Sequence, residues 1–146
     1  MSKAKSKPMT GGCLCGAVRY EIIGDPLFSG RCYCEDCRKA SGTGHSAVMA
    51  IAQPTFKVTG KLKGFAKVAD SGQRSTRNFC PTCGSGIYTA PSAMAGVVFV
   101  KASTLDDPER FLGGASIYAS RAPSWDQPPV GSPAFPEMPP PNTDVS

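Results

Sequence analysis

Hydrophobic and polar residues alternate with a period near two along much of the chain. Val18, Tyr20 and Ile22 alternate with Arg19 and Glu21, a pattern typical of a strand with one buried face. Further short strands are predicted at residues 46–51, 56–59, 62–68, 75–79, 86–89 and 97–102, because turn residues separate these segments. A helical pattern extends over only about one turn, at residues 35–40. We therefore expect an all-β fold of small antiparallel sheets with short helical turns.

The chain has 146 residues, which is the size of one ordinary domain. We expect a flexible basic lead at residues 1–8, a globular domain at residues 9–125 and a proline-rich tail at residues 126–146. Eight of the fourteen prolines follow residue 121, and proline excludes both helix and interior strand. Trp125 and Phe135 also lie in this region. Because large apolar side chains gain by burial, we expect part of the tail to pack on the domain.

The sequence also gives expectations about the cellular location of the protein and its binding partners. The N-terminal lysines precede no apolar segment, and the longest purely aliphatic or aromatic run, residues 97–100, is far shorter than the roughly 20 residues that cross a bilayer. We expect a cytoplasmic protein with no membrane partner. The net charge is +5, but the sequence lacks the dense basic stripe and stacking aromatics that are typical of nucleic-acid binding. We therefore do not expect the protein to bind nucleic acid. Exposed sheet edges could pair two copies as a homodimer.

Seven cysteines are the clearest chemical signal in the chain. An odd number cannot all form disulfides, and cytoplasmic cysteines at short spacings more often bind zinc. They fall into three groups, which are Cys13-Leu14-Cys15, Cys32-Tyr33-Cys34 with Cys37, and Cys80-Pro81-Thr82-Cys83. Gly84 follows the last group, as is typical of a zinc-binding knuckle. One closed site of four thiolates and one open site of three would use all seven.

The spacing leaves open which cysteines join Cys80 and Cys83 in the closed site. Glycines on both sides of Cys13 and Cys15 let the backbone fold tightly around an ion, which favours that pair. Alternatively, the cysteines only hold the fold together, with the group of three completed by His45 or an adventitious thiol. A redox dithiol at the C-x-x-C pair has less support, because no βαβ pattern surrounds it.

The cysteines lie within three longer motifs, GGCLCGAVRYE, CYCEDCRKASG and STRNFCPTCGSGIY. This ordered set resembles the glutathione-dependent formaldehyde-activating enzyme (GFA) family, which includes centromere protein V. The resemblance spans about residues 9–125 and implies a β-tent fold that is stapled by zinc and binds two zinc ions. It implies that the structural zinc ligands are Cys13, Cys15, Cys80 and Cys83. By the same resemblance, the catalytic zinc ligands are Cys32, Cys34 and Cys37.

The chemistry of a three-thiolate site agrees with that division. Three thiolates make the site negative, so it should acidify a bound water poorly, which disfavours a hydrolase. A soft thiol suits the fourth position. The family name implies glutathione or another small thiol and an aldehyde as substrates, and a carbon–sulfur lyase acting on an S-hydroxymethylglutathione-like adduct. The second hypothesis is a non-enzymatic zinc-binding interaction module, as the centromere protein V resemblance allows.

Two further features have both a functional and a structural interpretation. His45 is the only histidine and follows Cys37 by eight positions, so it is a candidate catalytic acid or base, although a surface or hydrogen-bonded role is the simpler interpretation. Six basic residues and one acid, Asp70, lie between Lys57 and Arg77. They could receive the carboxylates of a glutathione-like thiol if their strands border the open site. A solvated hairpin face is the simpler interpretation of this segment.

Overall fold

Short strands account for most of the regular structure. The computed structural model describes residues 7–68 and 72–139, so residues 1–6 of the expected lead and residues 140–146 of the tail lie outside the described residues. The described strands are Met9–Gly12 (β1), Arg19–Ile22 (β2), Phe28–Cys32 (β3), Ser46–Ala52 (β4), Phe56–Thr59 (β5), Lys63–Val68 (β6), Arg74–Phe79 (β7), Gly86–Pro91 (β8), Val97–Lys101 (β9) and Ala115–Ile117 (β10). The described helical segments are Glu35–Ser41 (α1) and 3₁₀ turns at Gln53–Thr55, Ala102–Thr104, Pro108–Arg110 and Ala119–Arg121.

These strands form two sheets. One has three strands in the order β1-β2-β5, and the other has seven in the order β10-β3-β4-β9-β8-β7-β6. The predicted all-β class with short helical turns is confirmed. Among the described strands, only β3 and β10 pair in parallel, with Ala115 opposite Gly30 and Ile117 opposite Cys32. This pair departs from the expected antiparallel pattern because a long connection, and not a hairpin, brings the chain back beside β3.

The main hydrophobic core contains residues from both sheets. It includes Ile22 of β2, Met49 of β4 and Val100 of β9, each of them completely buried. Burial alternates along β2 and β9, because alternate residues of a strand point to the same face, whereas residues 48–51 of β4 are buried on both faces. A second, smaller cluster forms around Cys32, Cys37 and Ile117. Each of the two clusters therefore contains cysteines from the sequence motifs.

The α-helix that the described residues form begins inside the second cysteine motif. Cys34 caps it, since the Cys37 backbone N–H donates to the Cys34 Sγ at 3.3 Å. The helix is only seven residues long, close to the predicted turn at residues 35–40. No helix among the described residues is long and apolar enough to cross a membrane.

The described part of the tail lies along the domain beside β10. The Phe135 backbone N–H donates to the Ser116 carbonyl at 2.8 Å, and Phe135 packs against the cluster around Cys32. Trp125, by contrast, is 69% exposed, so the expectation that it gains by burial is wrong. Its neighbour Asp126, not the indole, contacts the domain there, with its Oδ2 2.7 Å from the His45 Nδ1.

Gly30 allows the close approach of β3 to β10, and its replacement tests that contact. A Cβ at this position would overlap the Ala115 carbonyl oxygen and lie 2.6 Å from the Phe28 ring. We expect Gly30→Ala to lower the free energy of unfolding, measured in urea, by about 2 kcal/mol, as for other overpacked sites. The matched control is Gly86→Ala in β8, where nothing lies within 4 Å of the added Cβ. Equal stability of the two variants would contradict the assignment.

Candidate metal centres and the adjoining cleft

Four cysteines come together where the two sheets meet. Cys13 and Cys15 lie in the loop between β1 and β2, while Cys80 and Cys83 lie in the turn between β7 and β8, and all four sulfur atoms are within 4.8 Å of one another. The Sγ–Sγ distance is 3.6 Å from Cys13 to Cys15 and 3.8 Å from Cys15 to Cys80. Tetrahedral zinc with bonds of about 2.3 Å places its sulfur ligands about 3.8 Å apart. The four-cysteine group therefore has the spacing that a zinc ion requires.

The backbone of both loops supports this arrangement. Gly16 and Gly84 have φ angles of 84° and 81°, a conformation that favours glycine, so each loop can turn sharply behind its cysteines. The Val18 N–H donates to the Cys13 Sγ at 3.2 Å, and the Gly84 N–H donates to the Cys80 carbonyl at 2.8 Å. An N–H that donates to sulfur stabilises the thiolate, the form that binds metal.

Ser85 connects the two loops, and sequence reasoning missed it. Its Oγ accepts a hydrogen bond from the Leu14 N–H at 3.0 Å and lies 3.3 Å from the Cys83 Sγ. The hydroxyl lowers the pKa of Cys83 to about 5. Its position in the sequence, two residues after the second cysteine of the C-x-x-C pair, is the signal that could have marked it as a partner of the cysteines.

The remaining three cysteines form a second group at the end of β3 and the start of α1. The sulfur atoms of Cys32, Cys34 and Cys37 lie within 4.8 Å of one another. Hydrogen bonds with Cys32 and Cys37 lower the pKa of Cys34 to about 2, while the hydrogen bond with Cys34 raises the pKa of Cys32. Ionising all three of these neighbouring thiols costs a large free energy unless a cation neutralises their charge. The donor set therefore suits a soft metal ion with three protein ligands.

A cavity of about 400 Å³ opens beside the three-cysteine group. The basic residues that line it are Lys67, Arg77, Lys101 and Arg121, of which Lys67 pairs with Asp36 and Arg121 with Glu137. Arg77 Nη1 donates to the Thr89 Oγ1 at 3.2 Å, and Lys101 Nζ donates to the Ser46 Oγ at 3.0 Å. Burial lowers the pKa of Lys101. Because hydroxyl groups carry no charge, neither hydrogen bond neutralises its cation.

The basic segment at residues 57–77 is divided between two environments. Lys67 and Arg77 line the cavity, and the Lys67 Nζ lies 2.5 Å from the Asp36 Oδ1. Lys57 is exposed on β5, in the other sheet. Lys101 lies outside this segment and was missed, because the sequence at residues 97–102 predicts a strand but not what the strand faces.

His45 lies apart from the three-cysteine group. Its Nδ1 is 2.7 Å from the Asp126 Oδ2, and its ring packs against Tyr33 with 5.0 Å between centroids. It lines a neighbouring cavity of about 230 Å³, and among the described residues Lys101 lines both that cavity and the larger one. The group of sulfurs that could hold a metal does not include His45. Its role as a catalytic acid or base stays a prediction.

The fold and the cysteine groups define a class: a small all-β protein with one four-cysteine and one three-cysteine group, each able to hold a metal ion. The sequence profile of the glutathione-dependent formaldehyde-activating enzyme family matches residues 8–121, and the chain belongs to this family. No curated protein matches. The comparisons give no support to centromere protein V as a specific relative.

A solved structure has the same fold. It is the crystal structure of a Rhodobacter sphaeroides protein, a Northeast Structural Genomics target, with a TM-score of 0.57 and 18% sequence identity. The alignment covers 87% of this chain and 99% of that one. At this identity the likeness shows the fold alone.

Single cysteine variants should separate the two groups. We expect Cys80→Ser to lose one metal ion and to unfold in large part, because structural zinc contributes its binding energy to folding. Cys34→Ser should lose the other ion yet keep the fold, since its group belongs to the smaller cluster. Elemental analysis and circular dichroism measure the two effects, and each variant is the control for the other. Equal unfolding of both, or unchanged metal content in either, would contradict this division.

Proposed function

We propose that this protein is a zinc-dependent carbon–sulfur lyase-type enzyme that acts on a thiol–aldehyde adduct such as S-hydroxymethylglutathione. The observation that carries the proposal is the position of the three-cysteine group on the wall of a ligand-sized cavity. Membership of the glutathione-dependent formaldehyde-activating enzyme family supports the same chemistry. Because the reaction needs a reduced thiol, we also propose a cytoplasmic location.

The proposed metal ligands are Cys32, Cys34 and Cys37, with Cys13, Cys15, Cys80 and Cys83 holding a structural ion. A zinc ion bound by the group of three would supply a position that accepts a substrate thiolate. Cys32 and Cys37 are buried and Cys34 is half-buried, so the chain shields this group from bulk water on the side away from the cavity.

The reaction is a reversible addition. The thiolate sulfur forms a bond to the carbonyl carbon, the π electrons of the carbonyl move to oxygen, and that oxygen takes up a proton. In the reverse direction the hydroxyl proton leaves, the carbonyl forms again and the carbon–sulfur bond breaks, so that its electron pair returns to sulfur. Negative charge passes between sulfur and oxygen, so fixed cations beside the reacting atoms lower the barrier.

Arg77 and Lys101 are the cations that we assign to this task. Both line the cavity, and they come from neighbouring parts of the seven-stranded sheet. Hydrogen bonds with Cys32 and Cys37 lower the pKa of Cys34, and the charge of Arg77 adds to that effect. Burial lowers the pKa of Lys101, and the nearby Cys37 sulfur opposes part of that effect. Both cations therefore interact electrostatically with the thiols. In this position they attract an anionic thiol and stabilise its thiolate.

Exchange NMR of glutathione with formaldehyde tests the proposed reaction. The zinc-loaded protein should accelerate formation of the adduct. Lys101→Met should raise the KM for glutathione at least about tenfold, since a charge-assisted contact contributes about 1.5–3 kcal/mol. The matched control is Lys57→Met, at an exposed lysine in the other sheet. Acceleration equal to that of free zinc, or equal effects of the two lysine variants, would contradict the proposal.

A further inference from the structure

The cleft beside the three-cysteine group has an apolar wall. Part of this wall comes from residues beyond those that match the family profile. The matched residues end at 121, but the chain continues along β10 and returns to the cleft. Met138 of this segment lines the cavity, and so does Met94 from the connection between β8 and β9. The sheet itself contributes Val48, Phe99 and Ile117 to the lining.

The segment that carries Met138 is held in place by backbone contacts. Ser116 and Ala134 form a parallel bridge, and the Ala119 N–H donates to the Phe135 carbonyl at 2.9 Å. The Tyr118 N–H donates to the Glu137 carbonyl at 3.3 Å. Since these contacts extend to the residue before Met138, the backbone that carries this methionine is fixed against the domain.

The two methionines line the cavity and are both partly exposed. Met94 is 40% exposed and Met138 is 51% exposed. Methionine side chains are flexible and adapt to apolar ligands of different shapes, and exposed apolar surface in a cavity is typical of a ligand site. An adduct of formaldehyde ends in a hydroxymethyl group, which would leave this surface in water. An alkyl or aryl group on the same carbon could cover it.

We infer that the cleft takes adducts of a carboxylate-bearing thiol with aldehydes that have an apolar chain, in preference to the formaldehyde adduct. Met138 and Met94 contact that chain, while Arg77 and Lys101 attract the anionic thiol. This inference rests on the proposed function for the orientation of the adduct, with its sulfur at the three-cysteine group. The apolar chain then extends from the adduct carbon towards the methionines.

Stable thioethers test the inference without any turnover. S-methyl, S-butyl and S-hexyl glutathione imitate adducts with increasing apolar chains, and calorimetry on the zinc-loaded protein measures their affinities. A fully buried methylene contributes about fourfold in affinity, so S-hexyl glutathione should bind at least about tenfold more tightly than S-methyl glutathione. An affinity that is flat or falls with chain length would overturn the inference.

Variants then locate the chain in the cleft. Met138→Ala and Met94→Ala should each lower the ratio of S-hexyl to S-methyl affinity by about threefold. The matched control is Val130→Ala, because Val130 lies in the same segment, is fully exposed and does not line the cavity. A ratio that both methionine variants leave at the wild-type value would also overturn the inference.

The thioether series also distinguishes failure of the inference from failure of the proposed function. A thioether has no thiol proton to lose, and all members of the series share the same peptide part, so the change in affinity with chain length reports the apolar wall. Binding that increases with chain length, together with no accelerated exchange of glutathione with formaldehyde or hexanal, would support the apolar site and refute the lyase reaction. Accelerated exchange together with an affinity that does not change along the thioether series would support the lyase reaction and refute the apolar site.

Discussion

The four-cysteine group is the constraint on which the rest of the structure depends. Cys13 and Cys15 belong to a loop of the three-stranded sheet, and Cys80 and Cys83 belong to a turn of the seven-stranded sheet, so the group joins the two sheets at one point. Cys13 and Cys80 are themselves buried in the main core. A domain of this size gains from such a link, because a modest core leaves only a small net stability.

Fixing the two sheets leaves one face of the larger sheet available for chemistry. Along β9, Phe99 and Lys101 point to the same face, because side chains alternate along a strand. Strand pairing places Lys101 opposite Val48 of β4, which in turn lies opposite Gly30, two residues before Cys32. The cation and the three-cysteine group are therefore neighbours on one surface, and the cleft forms where α1 and the tail border that surface. Under the proposed function, four cysteines would hold the fold and three would face the substrate.

Patterns of neighbouring residues in the sequence predicted the features that form within a short segment of the chain. Alternation predicted β2, and short runs between turn signals predicted the six strands from β4 to β9. The cysteine spacing predicted the trio and the two pairs, but it left open that the two pairs meet, which the flanking glycines and the family resemblance favoured. The sequence did not predict β1, β3 or β10, because glycines interrupt the first two and β10 has only three residues. The pairing of His45 with Asp126 joins positions 81 residues apart. Such contacts follow from strand register and the path of the tail, which no local pattern contains.

The central claim is that four thiols form a closed site while three leave a position open. Zinc K-edge X-ray absorption, with and without glutathione, tests it most directly. Seven cysteines shared by two ions predict a mean of about 3.5 sulfur ligands per zinc, rising to about 4 when glutathione binds. A single ion with four sulfur ligands, or two ions whose sulfur shells do not change when glutathione is added, would contradict the account.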